Sequence, residues 1–188
     1  MESFWKHSLA CGVTARCLAV ARQLPAAEKF FMAGLLHDLG RLVLLSQAPP
    51  QATKAFHRYQ SKRMLLWEAE REVLGFDHAK IGEDLLRRWH YPANLVNAVA
   101  YHHCPMAAGF FQLETSVIHV ADYLVHALQI GSSGERLVPP LSQTAWERVG
   151  LTTGALKSVT DSVDEQITTV FDSFLQGANR TSQGGFAN

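Results

Sequence analysis

The feature that most constrains this chain is the stretch from Pro25 to Ser46, an apolar helical run broken near its middle by His37 and Asp38. Pro25 suits a first helical turn, and Ala26, Ala27, Glu28 and Lys29 are good helix formers. Phe30, Phe31, Ala33, Gly34, Leu35, Leu36, Leu39, Leu42 and Val43 then leave almost no polar face, so such a helix has to lie at the centre of a fold. Histidine and aspartate are poor helix formers and costly to bury alone, so the pair implies a partner. Neighbouring helical residues point about 100° apart, which lets His37 and Asp38 flank one point beside the helix and offer a nitrogen and a carboxylate to one cation.

Around this run the sequence reads as further helices. Phe4 to Gln23 carries Phe4, Leu9, Val13, Leu18 and Val20 with small alanines between them, and Pro49-Pro50 breaks the pattern before an outer helix of mixed polarity from about Gln51 to Gln60. Met64 to Leu74 ends at Gly75, a C-cap, and Asp77 is an N-cap for Ala79 to Trp89. Pro92 opens a short helix that ends at Tyr101-His102-His103-Cys104-Pro105, and Gln112 to Ile130 is long and apolar. After a break at Gly131-Ser132-Ser133-Gly134 and Pro139-Pro140, two helices near 146–150 and 156–175 close the chain. No stretch alternates in the manner of a strand and no repeat period appears. The expectation is an all-α, single-domain helical bundle over residues 1–176, with 177–188 as a loose polar tail held only by Phe186. The helical pattern starts within a few residues of Met1, and the sequence is read as lacking an N-terminal segment.

Composition narrows the function classes. Of 188 residues, 47% are hydrophobic and 18% charged, the balance of a globular domain. Seventeen basic against seventeen acidic side chains give no pull toward a nucleic-acid polymer or an anionic membrane, and the doublets Lys62-Arg63 and Arg87-Arg88 read as solvated helix faces. No apolar run approaches the ~18 residues of a membrane span. Cys11, Cys17 and Cys104 form neither a disulfide framework nor a zinc ribbon, and the chain is expected to be cytoplasmic.

The polar residues that interrupt the apolar helices are His7, His37, Asp38, His78, His102, His103 and Asp122. All seven are metal-ligand types, and imidazole with carboxylate suits Fe, Mn or Zn better than Ca or Mg. Seven ligands exceed what one such ion takes, so two divalent ions are expected, with Asp38 as the bridging carboxylate. One ion takes His7, His37, Asp38 and Asp122, and the other takes Asp38, His78, His102 and His103. The remaining histidines, His57, His90, His119 and His126, are read as surface or satisfied structure, with His126 one turn after Asp122 and able to support it.

In this order of ligands the chain resembles the HD superfamily of metal-dependent phosphohydrolases. More closely, Phe4-Trp5-Lys6-His7-Ser8-Leu9-Ala10, Ala33-Gly34-Leu35-Leu36-His37-Asp38-Leu39-Gly40-Arg41, Leu74-Gly75-Phe76-Asp77-His78-Ala79 and His102-His103-Cys104-Pro105 resemble the HDOD family, the HD-related output domains of bacterial signalling proteins. The match spans roughly residues 4 to 130, and the metal assignment agrees with the two-metal branch of the superfamily. The cyclic-dinucleotide branch, HD-GYP, carries a Gly-Tyr-Pro motif after its paired histidines and usually Lys three residues after the Asp. Here Cys104-Pro105-Met106-Ala107-Ala108-Gly109 has no such motif and Arg41 stands in place of the Lys.

The resemblance implies a signal-transduction output module that acts through protein partners, since many HDOD domains are regulatory and without known catalysis. The alternative is a phosphohydrolase with a nucleotide or cyclic-nucleotide ligand, in which Asp38 and Arg41 are the catalytic pair, one holding the ions and the other neutralising phosphate oxygens. Segments 41–51 and 104–112 are expected to border the site. The second carries no cation, and Phe110-Phe111 is placed to plug a pocket or stack on a base, so a narrow, occluded site is expected.

Overall fold

The computed structural model describes residues 1–183. The described residues form α-helices joined by turns, with no strand: α1 (Glu2–Ala21), α2 (Ala27–Leu36), α3 (Leu39–Gln47), α4 (Pro49–Lys62), α5 (Leu66–Leu74), α6 (His78–Arg88), α7 (Ala93–Ala100), α8 (Gln112–Ala127), α9 (Gln143–Val149) and α10 (Thr153–Gln183). The chain is an all-α bundle, as its periodicities predict. Two local signals hold: Gly75 caps α5 at φ 84°, and the Asp77 carboxylate accepts the Lys80 N–H at the start of α6. α10 continues to Gln183, into the segment expected to be a loose tail from Gly177; residues 184–188, with Phe186, lie outside the described residues. None of the described helices is long and apolar enough to cross a membrane.

The one correction to the helix order falls at the centre. The run from Pro25 to Ser46 is two helices, with α2 closing at His37 and α3 opening after Asp38, whose φ/ψ of −98° and 6° lies outside the helical region. Pro25 and Ala26 stand before the first turn of α2. The break turns the axis and leaves His37 and Asp38 at the corner.

The main core is formed by α1, α2, α7, α8 and α10, through residues such as Val13, Leu18, Phe30, Val99, Ile118, Val120 and Val163. A smaller cluster, Tyr59, Leu66 and Ala69, joins α4 to α5. Glycine sets the two crossings that matter most. A Cβ on Gly34 would lie 2.6 Å from the Cys11 carbonyl oxygen, and one on Gly12 would lie 2.9 Å from that of Phe31, so α1 and α2 touch backbone to backbone. A Cβ on Gly40 would lie 2.0 Å from the His78 carbonyl oxygen and 2.7 Å from the Gly82 nitrogen, so α3 and α6 do the same. The first contact carries His7 to one side of the corner and the second carries His78 to the other.

Candidate metal centre

Five helices and a turn deliver the polar cluster: α1 brings His7, the α2–α3 corner His37 and Asp38, α6 His78, the turn after α7 His102 and His103, and α8 Asp122. All are buried except His103, which is half-buried. On one side of the corner, His7 Nε2 is 3.2 Å from Asp122 Oδ1 and 3.8 Å from Asp38 Oδ2, while His37 Nε2 is 3.5 Å and 3.4 Å from the same two oxygens. On the other side, His78 Nε2 is 2.9 Å from Asp38 Oδ1, 3.1 Å from His103 Nε2 and 3.4 Å from His102 Nε2, and His102 Nε2 is 4.0 Å from Asp38 Oδ1. Asp38 therefore faces both groups, one oxygen to each. Groups of side chains here could hold a metal ion: His7, Cys11, His37 and Asp122; His37, Asp38 and His102; and His78, His102 and His103.

The ring orientations are fixed from behind. His37 Nδ1–H donates to the Gly34 carbonyl at 2.7 Å and His102 Nδ1–H to the Val99 carbonyl at 2.7 Å, which turns both Nε2 atoms inward. His119 Nδ1–H donates to the His102 carbonyl at 2.8 Å while its Nε2 accepts the Ser142 N–H at 3.0 Å, so this histidine is satisfied structure that steadies the turn. His126 Nε2 lies 3.3 Å from Asp122 Oδ1, and its ring packs against His7. His103 stacks on Trp67 with centroids 5.3 Å apart. His57 and His90 are exposed, His90 at a φ of 59° in the turn after α6.

Two participants escaped the sequence reading. Glu70 of α5 is buried and accepts both His78 Nδ1–H, at 2.6 Å, and the His78 backbone N–H, at 2.9 Å. In sequence it stands beside Glu68 and Glu72 and reads as one of several solvated glutamates on a polar helix face. Its position between Leu66 and Leu74, four residues from each, placed it on the apolar stripe. Cys11 follows His7 by one helical turn, with Sγ 3.6 Å from His7 Nε2 and 3.8 Å from Asp122 Oδ1.

Arg41 points inward. Its Nη1 donates to the Ser133 hydroxyl at 2.7 Å, the Ser133 carbonyl at 3.1 Å and Asp38 Oδ2 at 3.3 Å, its Nε is 3.4 Å from Glu70 Oε1, and Nη2 lies against the His78 ring. The loop that supplies Ser133 is tied to the start of α1 through the Ser132 N–H and the Ser3 carbonyl, and to α5 through the Leu66 N–H and the Glu135 carboxylate.

Charge in this cluster is carried by a few groups. Burial pushes the His37 imidazole down, yet Asp38 and Asp122 outweigh it and hold it at about 10. Burial and Arg41 push His78 down, and Glu70 and Asp38 bring it to about 9. Burial with His37 and His78 drives His102 to about 3, and burial with His102 and His78 holds His103 well below its ordinary value. The carboxyls of Asp38 and Asp122 stay well below the usual carboxylate range: burial raises each, but Arg41, His37 and His78 prevail at the first and His37, His7 and His126 at the second. Glu70 follows the same rule, raised by burial but brought to about 2 by His78 and Arg41.

Beside the cluster lies a cavity of about 330 Å³, walled by Leu44, Leu45, Ala52, Phe56 and Leu66, with Arg41 and Glu70 at its polar end. Arg41, Leu44 and Leu45 of segment 41–51 line this cavity, and no residue of 104–112 does. Phe110 projects fully into solvent rather than into a pocket, and Phe111 is half-buried.

Solved structures of the same fold include an HDOD domain protein of unknown function from Geobacter sulfurreducens, with a TM-score of 0.73 at 19% identity over 92% of this chain and 61% of that one. A protein provisionally assigned to signal transduction from Marinobacter aquaeolei VT8 superposes with a TM-score of 0.74 at 22% identity, over 95% of this chain and 39% of that one. At these identities the likeness is one of fold. An uncharacterized protein of Treponema pallidum (strain Nichols) is 28% identical over 104 residues, which are 54% of this chain and 20% of the relative, so the chain matches only a fifth of that protein's length. The family model of the HDOD domain matches residues 1–105, more than half of the sequence, and the chain belongs to the HDOD family.

Proposed function

We propose that this chain is an output domain of bacterial signal transduction, organised around a divalent metal centre and working through contacts with protein partners rather than through turnover. The observation that supports the metal is His37 Nε2. It is wholly buried, makes no hydrogen bond of good geometry, and is turned by its Nδ1 bond toward the Asp38 and Asp122 carboxylates, 3.4 and 3.5 Å away. Arg41 and the imidazoles of His37 and His78, both raised in pKa, balance Asp38, Asp122 and Glu70, and a divalent cation is an alternative to the imidazole protons.

His7, His37, Asp38 and Asp122 are assigned to one ion and Asp38, His78, His102 and His103 to a second, with Fe, Mn or Zn as the candidates that suit these donors. Such an ion would supply Lewis acidity and charge at the corner. The chain's own residues hold the arrangement: Glu70 orients His78, Gly34 and Val99 orient His37 and His102 through their carbonyls, and Arg41 anchors Asp38 to Ser133. Closure favours a regulatory role over an enzyme, because the cation nearest the ligands is spent on internal acceptors and the ligands are almost all buried. Likeness in fold to a protein provisionally assigned to signal transduction is consistent with partners that are proteins.

Elemental analysis of protein purified without chelator tests the reading. One or two equivalents of a transition metal are expected, and metal-free protein whose melting curve does not move on adding Mn, Fe or Zn would overturn it.

A second reading, a phosphohydrolase acting on a nucleotide or cyclic nucleotide, is favoured by the cavity at Arg41 and Glu70. There Asp38 would hold the ions and Arg41 would turn from its internal acceptors to neutralise phosphate oxygens. Turnover from a panel of cyclic and linear nucleotides, lost in Asp38→Ala, would promote this reading over the first.

A further inference from the structure

We propose that the Cys11 sulfur is a ligand of the ion held by His7, His37 and Asp122, so that one half of the centre is a mixed nitrogen, oxygen and sulfur site. The inference rests on the metal reading above. Cys11 stands one turn after His7 on α1, fully buried, with its Sγ aimed at the same point as the imidazole. Its sulfur lies 3.6 Å from His7 Nε2 and 3.8 Å from Asp122 Oδ1; Asp122 Oδ1 in turn lies 3.2 Å from His7 Nε2 and 3.5 Å from His37 Nε2. All four ligand atoms lie within 4.8 Å of one another. Around one small ion, with metal–sulfur bonds of ~2.3 Å and metal–nitrogen or metal–oxygen bonds of ~2.0–2.1 Å, neighbouring ligand atoms fall about 3.3–3.6 Å apart in a tetrahedral arrangement. Four of the six separations among these donors, from 3.2 to 3.8 Å, already stand close to those values.

A second observation points to the same spot. His37 Nε2, buried and without a hydrogen-bond partner, faces into this group of four. The sulfur is not there as apolar filling, since its polar neighbours are an imidazole and a carboxylate. Charge agrees as well. On binding, the thiol proton and the second His37 proton leave to solvent, and a thiolate with the Asp122 carboxylate and two neutral imidazoles balances a divalent ion in this buried site, the Asp38 carboxylate being shared with the second ion. A thiolate donor also sets the metal preference, toward Zn, Fe or Co and away from Mg and Mn. The other cysteines are placed elsewhere: Cys17 near Gln166 and Cys104 at the surface.

Cobalt(II) added to the metal-stripped full chain separates this inference from the reading beneath it. Visible d–d bands report cobalt held by any of these donors, while a sulfur-to-cobalt charge-transfer band in the near ultraviolet reports the thiolate. Wild type is expected to show both, Cys11→Ser to keep the d–d bands and lose the charge-transfer band, and Cys17→Ser and Cys104→Ser to keep both. Cys11→Ala, with folding checked by circular dichroism, repeats the test should the serine fold poorly. Cobalt bound without a charge-transfer band, or a band that survives Cys11→Ser, would overturn the sulfur ligand and leave the metal reading standing. No cobalt uptake by well-folded wild type would overturn both.

Discussion

The Asp38 carboxylate lies 2.9 Å from His78 Nε2, although the two residues sit on different elements whose backbones meet at Gly40. That contact joins the two halves of the cluster, and it exists only because α3 and α6 approach more closely than any side chain allows.

Gly40→Ala is therefore expected to be among the most disruptive single substitutions. Its Cβ meets backbone rather than a movable side chain, so α3 and α6 must separate, at a cost of about 3 kcal/mol and a melting point lower by roughly 6–12 °C. Gly75→Ala is the control, because at φ 84° with open space around it the substitution brings only backbone strain, on the order of 1 kcal/mol. Thermal melts of the two variants check the contrast, and equal losses would contradict it.

Stability of the metal-stripped protein is expected to peak near pH 6.5. His37 and His78, raised from 6.5 to about 10 and about 9, contribute stability that is fully present below 6.5 and is lost as pH rises through those values. His102, lowered from 6.5 to about 3, works in the opposite sense: its contribution is present above 6.5 and is lost as pH falls toward 3. Added metal should flatten the alkaline limb, since the cation takes over from the protons on His37 and His78. Melting points from pH 4 to pH 10, with and without metal, measure both effects.

Glu70→Gln is expected to weaken metal binding by about 10–100-fold while leaving the fold in place, because the amide fills the same space but no longer balances His78 and Arg41. Glu70→Ala should cost more, about 3–5 kcal/mol of stability, by leaving the buried Arg41 with less compensation. Chelator competition reads the first effect and denaturant melts the second.

Asp38→Ala should release more metal than the removal of any one histidine, as it is the residue that faces both groups. At metal concentrations about 100 times the dissociation constant, wild type gains about 2.7 kcal/mol from the ion, and the variant should gain far less. Melting with and without metal gives the comparison directly.

Much of this was legible in the chain itself. The helices follow from apolar spacing, the Gly75 and Asp77 caps from residue type, and the all-α class from the absence of alternation, since each depends on neighbours within a few residues. The ligand candidates were legible for a related reason: a histidine or aspartate inside an apolar helix stands out locally, whatever it later meets.

What tertiary structure decided lies across the crossings. The corner between His37 and Asp38 replaces one helix by two, Arg41 turns inward to Ser133, Glu70 leaves the company of solvated glutamates for His78, and Cys11 comes to rest beside Asp122, 111 residues away. Sequence spacing gives the rotation of a residue about its own helix but not the angle or depth at which two helices meet. Those are set by where backbones can touch, at Gly12 against Phe31, Gly34 against Cys11 and Gly40 against His78, and they determine which candidate ligands share a centre.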